Sequence, residues 1–388
     1  MADSTPAAAA ASQSPVKSRG LEGVTALDTE LSYINGQTGE LLYRGYDIKD
    51  LAQNASFEEV AYLLWNGALP NQQQLDELNA QLRAERAIPN AVLDHLRHHT
   101  PKDADPMSAL RTATSMLADF DADTESHDRD ANYRNAIRLT AKMPTIVAAF
   151  DRIRKGKEPV APSGEGSMAY DFLYMLNGEA PGPNAEAIMD AALVLHAEHG
   201  LNASTFTARV IGSTLSDMYS AVTGAIGALK GPLHGGANIK VMETLQDIKA
   251  GGKSPADYVR EKLEAKERLM GFGHRVYKTY DPRAIILRDM LEDLSDEKGD
   301  RYWYETSKEM MDEVHEAKGL YPNVDFFSAS VYYLLGIESD LYTPIFAISR
   351  ITGWTAHLLE QWEDNRLIRP RAEYVGPRDV TVSPIAER

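Results

Sequence analysis

A chain of 388 residues with 43% apolar and 25% charged side chains is long enough for two domains and ample buried core. It contains no cysteine, which excludes disulfides, zinc–thiolate sites and cysteine nucleophiles, and no apolar run approaches the roughly 20 residues that span a bilayer. The net charge of −17 argues against nucleic-acid partners, which need a basic face, and fits a cytoplasmic protein or one adapted to high salt.

Residues 1 to 18, with a run of five alanines among Ser, Gln and Pro, read as a disordered tail without the apolar core of an export signal. Leu31 to Gly45 alternates apolar residues around Asn35-Gly36, a β-hairpin signal. Helix punctuation follows. Ser56-Phe-Glu-Glu59 is a capping box, stopped by Gly67 and Pro70, and Leu75, Leu78 and Leu82 continue at helical spacing. Asp105-Pro106 supplies an N-cap and a first-turn proline for a helix reaching Leu117. Asp121 to Asp130 is an acidic loop. The helix expected from about Asp130 to Lys155 contains Pro144, which should kink or divide it. Helical patterns recur at Ala185–His196, Ser204–Ile211 and Asp217–Lys230, the last rich in Ala and Gly and suited to close packing.

Gly231-Pro-Leu-His-Gly-Gly-Ala-Asn238 interrupts that pattern with three glycines and leaves one imidazole, His234, just before a helix over Ala237–Ala250. The helix dipole there would keep the ring neutral, and a neutral imidazole can donate a hydrogen bond to a developing oxyanion. The plainer reading is a turn whose histidine faces water. Ser254 starts a helix ending near Gly271, and Asp281-Pro282 starts another. Tyr302–Ala317 is amphipathic, Phe326–Leu335 is strongly apolar, and Thr343-Pro344 opens a last helix reaching about Asn365. With these helices and almost no strands, the fold class is all-α.

The chain holds ten histidines. His196 and His199 form an HxxH pair that needs a third converging ligand to hold a metal, and no HExxH or comparable pattern accompanies it. His95, His98 and His99 lie on a polar helix end and read as solvent-facing. His274 stands in Gly271-Phe-Gly-His-Arg-Val-Tyr277. From Arg268 to Arg283 four basic side chains face a single carboxylate, Asp281, which makes a local anion site or a solvated basic loop. Asp325, in Pro322-Asn-Val-Asp-Phe-Phe-Ser328, is either the cap of the apolar helix or a base held beside aromatic surface. Arg350 sits within an apolar run and needs an anionic partner or a route to water. Arg369 follows the last long helix in Ile368-Arg-Pro-Arg371.

Together these stretches resemble the citrate synthase family, in whose order and approximate spacing they occur, from about Gly20 to about Gly376. The resemblance implies a two-domain, largely helical homodimer with a minor N-terminal β hairpin, that condenses acetyl-CoA with oxaloacetate and needs no metal or other cofactor. Residues 19–230 and 341–388 would form the large domain and 231–340 the small one. The chain lacks the longer N-terminal extension of the hexameric members, which favours the dimeric type. By resemblance, Asp325 removes a methyl proton, His234 hydrogen-bonds the thioester oxygen, and His274 polarises the oxaloacetate carbonyl. His199, Arg283 and Arg350 match substrate-binding positions, and Arg369 matches the arginine contributed across the dimer interface. Arg275, Lys278 and Asn323 fall on the CoA-binding segments. Lys278 replaces an arginine found in some relatives, keeping charge but losing the bidentate fork. The rival within the family is 2-methylcitrate synthesis from propionyl-CoA. Outside it stand an inactive helical binding protein and a metal-dependent hydrolase built on His196 and His199.

Overall fold

The computed structural model describes residues 18–388, so the tail expected over residues 1–18 lies outside the described residues except for Ser18. A short unit ends at Glu30, and a second unit runs from Leu31 to Arg388. The second opens with strands β1 (Ser32–Asn35), β2 (Glu40–Tyr43) and β3 (Tyr46–Asp47), antiparallel in the order β1-β2-β3. Asn35 pairs with Glu40, so the hairpin turn is the loop Gly36–Gly39, and the expected hairpin gains a third strand. Within that loop Asn35 Oδ1 accepts the amides of Gln37 at 3.0 Å and Thr38 at 3.3 Å, which closes the turn through a side chain. Leu31, Leu41 and Tyr43 are fully buried and hold the sheet to the helices.

Helices α1 (Ile48–Asn54), α2 (Phe57–Asn66), α3 (Gln72–Glu85), α4 (Asn90–His98) and α5 (Pro106–Leu117) follow. The capping box of α2 forms as expected: Ser56 Oγ accepts from Glu59 N at 3.3 Å and Glu59 accepts from Ser56 N at 2.7 Å. A second box, Asn71 with Gln74, opens α3. Helix α6 (Arg129–Arg154) runs unbroken through Pro144, against the expectation of a division. It is buried along most of its length against α3, α5, α7 and α16, and that packing outweighs the ~3 kcal/mol that an internal proline costs.

Helices α7 (Met168–Asn177), α8 (Pro183–His196), α9 (Ala203–Gly212) and α10 (Met218–Lys230) complete this part, with α16 (Tyr342–Glu363) at its centre. The nearly all-round burial of α16 follows from its apolar sequence, and it packs on α2, α6, α8, α9 and α10. Between α10 and α16 lie α11 (Ala237–Gly251), α12 (Pro255–Glu264), α13 (Pro282–Lys298), α14 (Tyr302–Lys318) and α15 (Val324–Leu334), which pack mainly on one another around α15 and α14. Helix α12 stops short of the expected Gly271, because residues 265–281 form an irregular loop. Beyond α16 the chain has no regular element until a short 3-10 turn, Ile385–Glu387. The fold is all-α with one small sheet. No helix among the described residues is long and apolar enough to cross a membrane.

Candidate active site

His234 sits in a tight loop between α10 and α11. Gly231 O accepts the amides of His234 at 2.9 Å and Gly235 at 3.0 Å, and Gly236 caps α11 with a φ of 80°, a conformation that glycine adopts without cost. The imidazole turns toward the first turn of α9. There the Ser204 amide donates to His234 Nε2 at 3.2 Å and the Ser204 hydroxyl lies 2.8 Å from the same nitrogen. A backbone N–H can only donate, so Nε2 is unprotonated and the neutral ring carries its proton on Nδ1. Ser204 Oγ is itself fixed, by Trp354 Nε1 at 3.1 Å and Asn202 Oδ1 at 2.8 Å. Burial, reinforced by the Arg350 and Arg275 charges, pushes the imidazole down to about 4. The ring is neutral as expected, but burial holds it so rather than the helix dipole.

His274 and Asp325 lie 51 positions apart and are brought together by two loops zipped backbone to backbone. Phe272 bridges Pro322, Gly273 N donates to Tyr321 O at 2.9 Å, and Asn323 N donates to Gly271 O at 2.9 Å. Asn323 finishes the zip: its Nδ2 donates to Gly273 O at 3.0 Å while its Oδ1 accepts the Asp325 amide at 3.1 Å. His274 Nδ1 accepts two backbone amides from its own loop, Val276 at 3.0 Å and Tyr277 at 3.2 Å. The proton of its neutral form therefore resides on Nε2, the opposite nitrogen from His234. Burial, with Arg283 behind it, lowers this imidazole to about 4. Its ring stands 5.3 Å from that of His199, whose Nε2 is 3.2 Å from the Tyr277 hydroxyl. Burial first, then Arg283 and His274, hold His199 well below the usual histidine range.

Asn323 is the cap of α15, so the cap reading of Asp325 is wrong by two positions. Asp325 lies in the first turn, and its carboxylate accepts no hydrogen bond among the described residues. Burial pushes the carboxyl up to about 6, against the pull of Arg283 and Arg350.

Two buried guanidinium groups complete the floor. Arg283, 2% exposed, grips Asp281 through Nε at 3.0 Å and a terminal nitrogen at 2.8 Å. Asp281 Oδ2 also accepts the Val324 amide at 3.2 Å, so one buried carboxylate ties the start of α13 to that of α15. Arg350, 1% exposed, donates through Nε to His196 O at 2.6 Å, lies over the Phe346 ring and has no carboxylate in ion-pair reach among the described residues. Burial lowers it to about 10 while the charges of Glu198, Tyr43 and Asp325 oppose that fall. A cationic group this buried, with its fork unpaired, suits an anionic partner. Arg275 and Lys278 are exposed on the His274 loop. Arg275 lines a cavity of about 570 Å³ with Lys266, Arg268, Lys318 and His274, and Lys278 lines an adjoining one of about 210 Å³.

A family model described as the C-terminal domain of citrate synthase matches residues 20–371. The chain belongs to the citrate synthase family. Citrate synthase 2 of Bacillus subtilis is 54% identical over 370 residues, 95% of this chain and 99% of that one. The citrate synthase of Haloferax volcanii is 53% identical, covering 95% and 98%. A 2-methylcitrate synthase of Shewanella oneidensis is 45% identical, covering 95% and 97%. Among solved structures, the ternary complex of carboxymethyl coenzyme A and oxaloacetate with citrate synthase from Thermoplasma acidophilum superposes with a TM-score of 0.89 at 38% identity, covering 95% and 98%. This chain is thus a condensing enzyme of the acyltransferase type.

Of the citrate synthase positions expected from the sequence, His199, His234, His274, Arg283, Asp325 and Arg350 gather around one floor, linked by the charges of Arg283 and Arg350. Arg369 does not join them. It is exposed in the irregular segment after α16. Asn323, expected to meet CoA, has both ends of its side-chain amide engaged in the backbone zip. His196 is fully buried against Phe346 and Tyr332, with Nδ1 2.7 Å from Ala192 O, and no group of three metal-ligating side chains occurs among the described residues. Ser204, Asp281 and Lys318 were missed in the sequence. Of these only Asp281 carried a signal, as the sole carboxylate in the basic stretch.

Proposed function

We propose that this enzyme condenses acetyl-CoA with oxaloacetate and water to give citrate and CoA. The observation that carries this is one unpaired, destabilised carboxylate that shares the Arg283 and Arg350 floor with two neutral imidazoles presenting opposite nitrogens. Arg283, Arg350 and His199 hold the carboxylates of oxaloacetate. Asp325 takes a proton from the acetyl methyl as His234 Nδ1–H donates to the thioester oxygen, so charge on the enol is stabilised as it forms. The enol carbon attacks the oxaloacetate carbonyl carbon, and His274 Nε2–H supports the developing alkoxide. Water then cleaves the thioester of citryl-CoA, releasing CoA as a thiol and citrate. No metal or other cofactor enters these steps.

Residues 231–340 act as the small domain and close over oxaloacetate before the acyl-CoA binds, against 19–230 and 341–388. The basic cavity beside Arg275 takes the CoA phosphates, with Lys278 at its edge. The enzyme works as a cytoplasmic homodimer. The exposed segment after α16 supports this, since Leu367, Tyr374, Val375, Val380 and Val382 are all at least half exposed, an apolar arm suited to a second subunit, with Arg369 reaching its site. The relatives of higher identity carry the citrate name, which supports acetyl-CoA over propionyl-CoA. A pocket distinguishes one methylene by only about 1–3 kcal/mol, so the test must compare the two directly. Free thiol should appear only when oxaloacetate and an acyl-CoA are both present, and faster with acetyl-CoA. Absence of thiol release at every salt concentration refutes the proposal.

A further inference from the structure

We infer that the hairpin turn Gly36–Gly39 is the seat of the catalytic loop, and that Gly36 is a positioning residue acting on His274. The inference rests on the role proposed for His274. The amides of Val276 and Tyr277 fix the tautomer of His274, and they belong to an irregular loop whose zip to residues 321–323 reaches only as far as Gly273. Beyond Gly273 the loop rests on the turn between β1 and β2. Lys278 N donates to Gly36 O at 2.8 Å, 242 residues away in sequence. A side chain on Gly36 would overlap the Val276 carbonyl, its Cβ falling 2.7 Å from the carbonyl carbon. At the other end of the turn, a Cβ on Gly39 would lie 2.8 Å from Tyr280 O. The turn and residues 276–280 are thus in backbone contact at both ends.

The backbone of Gly36 needs no glycine on its own account, because its φ lies outside the left-handed region, unlike Gly39 at 71° and Gly45 at 88°. The missing side chain at position 36 is explained by the approach of Val276. Any side chain there displaces Val276, and with it the amide that His274 Nδ1 requires. The turn lies on the opposite side of the proposed closure from the loop, so it also serves as the stop against which the small domain comes to rest.

Gly36→Ala separates this from a plain structural role, with Gly45→Ala as the control. Gly45 lies in the next turn of the same sheet, and a Cβ there meets nothing within 4 Å, so it strains the sheet without touching the loop. Gly36→Ala should lower kcat by about 10²-fold, since a misplacement near 1 Å has that effect, with oxaloacetate KM changed far less. Gly45→Ala should keep kcat near that of the parent. A Gly36→Ala enzyme with kcat within about twofold of the parent overturns the inference, as does a parallel loss of kcat and thermal stability in both variants. Should Gly36→Ala not fold, Lys278→Pro deletes the donor to Gly36 and leaves the turn intact, with Lys278→Ala as the reference that keeps the amide. An equal kcat in those two also overturns it. If the parent itself releases no thiol, the proposed function fails. The seat is then read by amide hydrogen exchange of residues 274–280, which must quicken in Gly36→Ala, and unchanged exchange refutes it.

Discussion

His234 and His274 solve one problem in two ways. Both are half-buried imidazoles lowered to about 4, and both have their tautomer set by backbone amides. His234 takes its amide from Ser204, in the first turn of a helix buried against α10 and α16, so its support is rigid and distant in sequence. His274 takes its amides from the two residues just beyond Arg275, within a loop that must itself be supported. The first region rests on a packed helix, the second on a loop. The nitrogens left to donate are opposite ones, which suits one ring to a thioester oxygen and the other to a ketone oxygen reached from another side.

The largest effect that sharpens this contrast comes from the carboxylate that shares the arginine floor with both rings. Asp325→Asn should lower turnover by about 10²–10⁴-fold while the helical circular dichroism is unchanged. Near-normal turnover would remove Asp325 from the chemistry. In the parent, thiol release should fall as the pH drops through about 6, where Asp325 takes up its proton, while both imidazoles stay neutral. The same carboxylate weakens the fold. Its folded value of about 6 exceeds the unfolded 3.8, so the penalty is absent below about pH 4 and complete above about pH 6. Asp325→Asn should therefore be more stable than the parent at pH 8 by about 3 kcal/mol, and no more stable at pH 3. A denaturant titration at both values checks the sign.

His234→Ala should lower kcat by about 10²–10³-fold, the usual result of deleting an oxyanion donor. Ser204→Ala is the subtler probe. It keeps the amide that sets the tautomer and removes only the hydroxyl, so kcat should fall by no more than about tenfold, the value of one hydrogen bond. A loss as large as that of His234→Ala would mean that the hydroxyl, not the amide, holds the ring.

Much of the frame was legible in the residues. The Ser56 capping box, the Asp-Pro starts and the apolar Phe326 stretch placed α2, α5, α13 and α15, because those signals act within one turn, while α1 and α7 carried no signal that was read. Pro144 does not divide α6, since the burial of that helix is a tertiary property that no local pattern carries. Asn35-Gly36 marked a turn, but the reason for its glycine is a carbonyl 240 residues away in sequence. The motifs identified the family and pointed to residues that gather at the arginine floor, yet not what orients them. Ser204 acts through a backbone amide, which every residue type possesses, so its identity announces nothing. Asp281 was visible as a helix cap, and only the fold shows that its second oxygen ties down the helix carrying Asp325. Asn323 supplies the cap that was one of two readings of Asp325, and that shift of two positions leaves the Asp325 carboxylate unpaired among the described residues.

The opposed tautomers are the centre of the account, and nitrogen-15 NMR of histidine-labelled enzyme reads them directly, with His234→Gln and His274→Gln assigning the two rings. At pH 8 a proton is expected on Nδ1 of His234 and on Nε2 of His274. Protons on the same nitrogen of both rings, or either ring doubly protonated at pH 7, would contradict it.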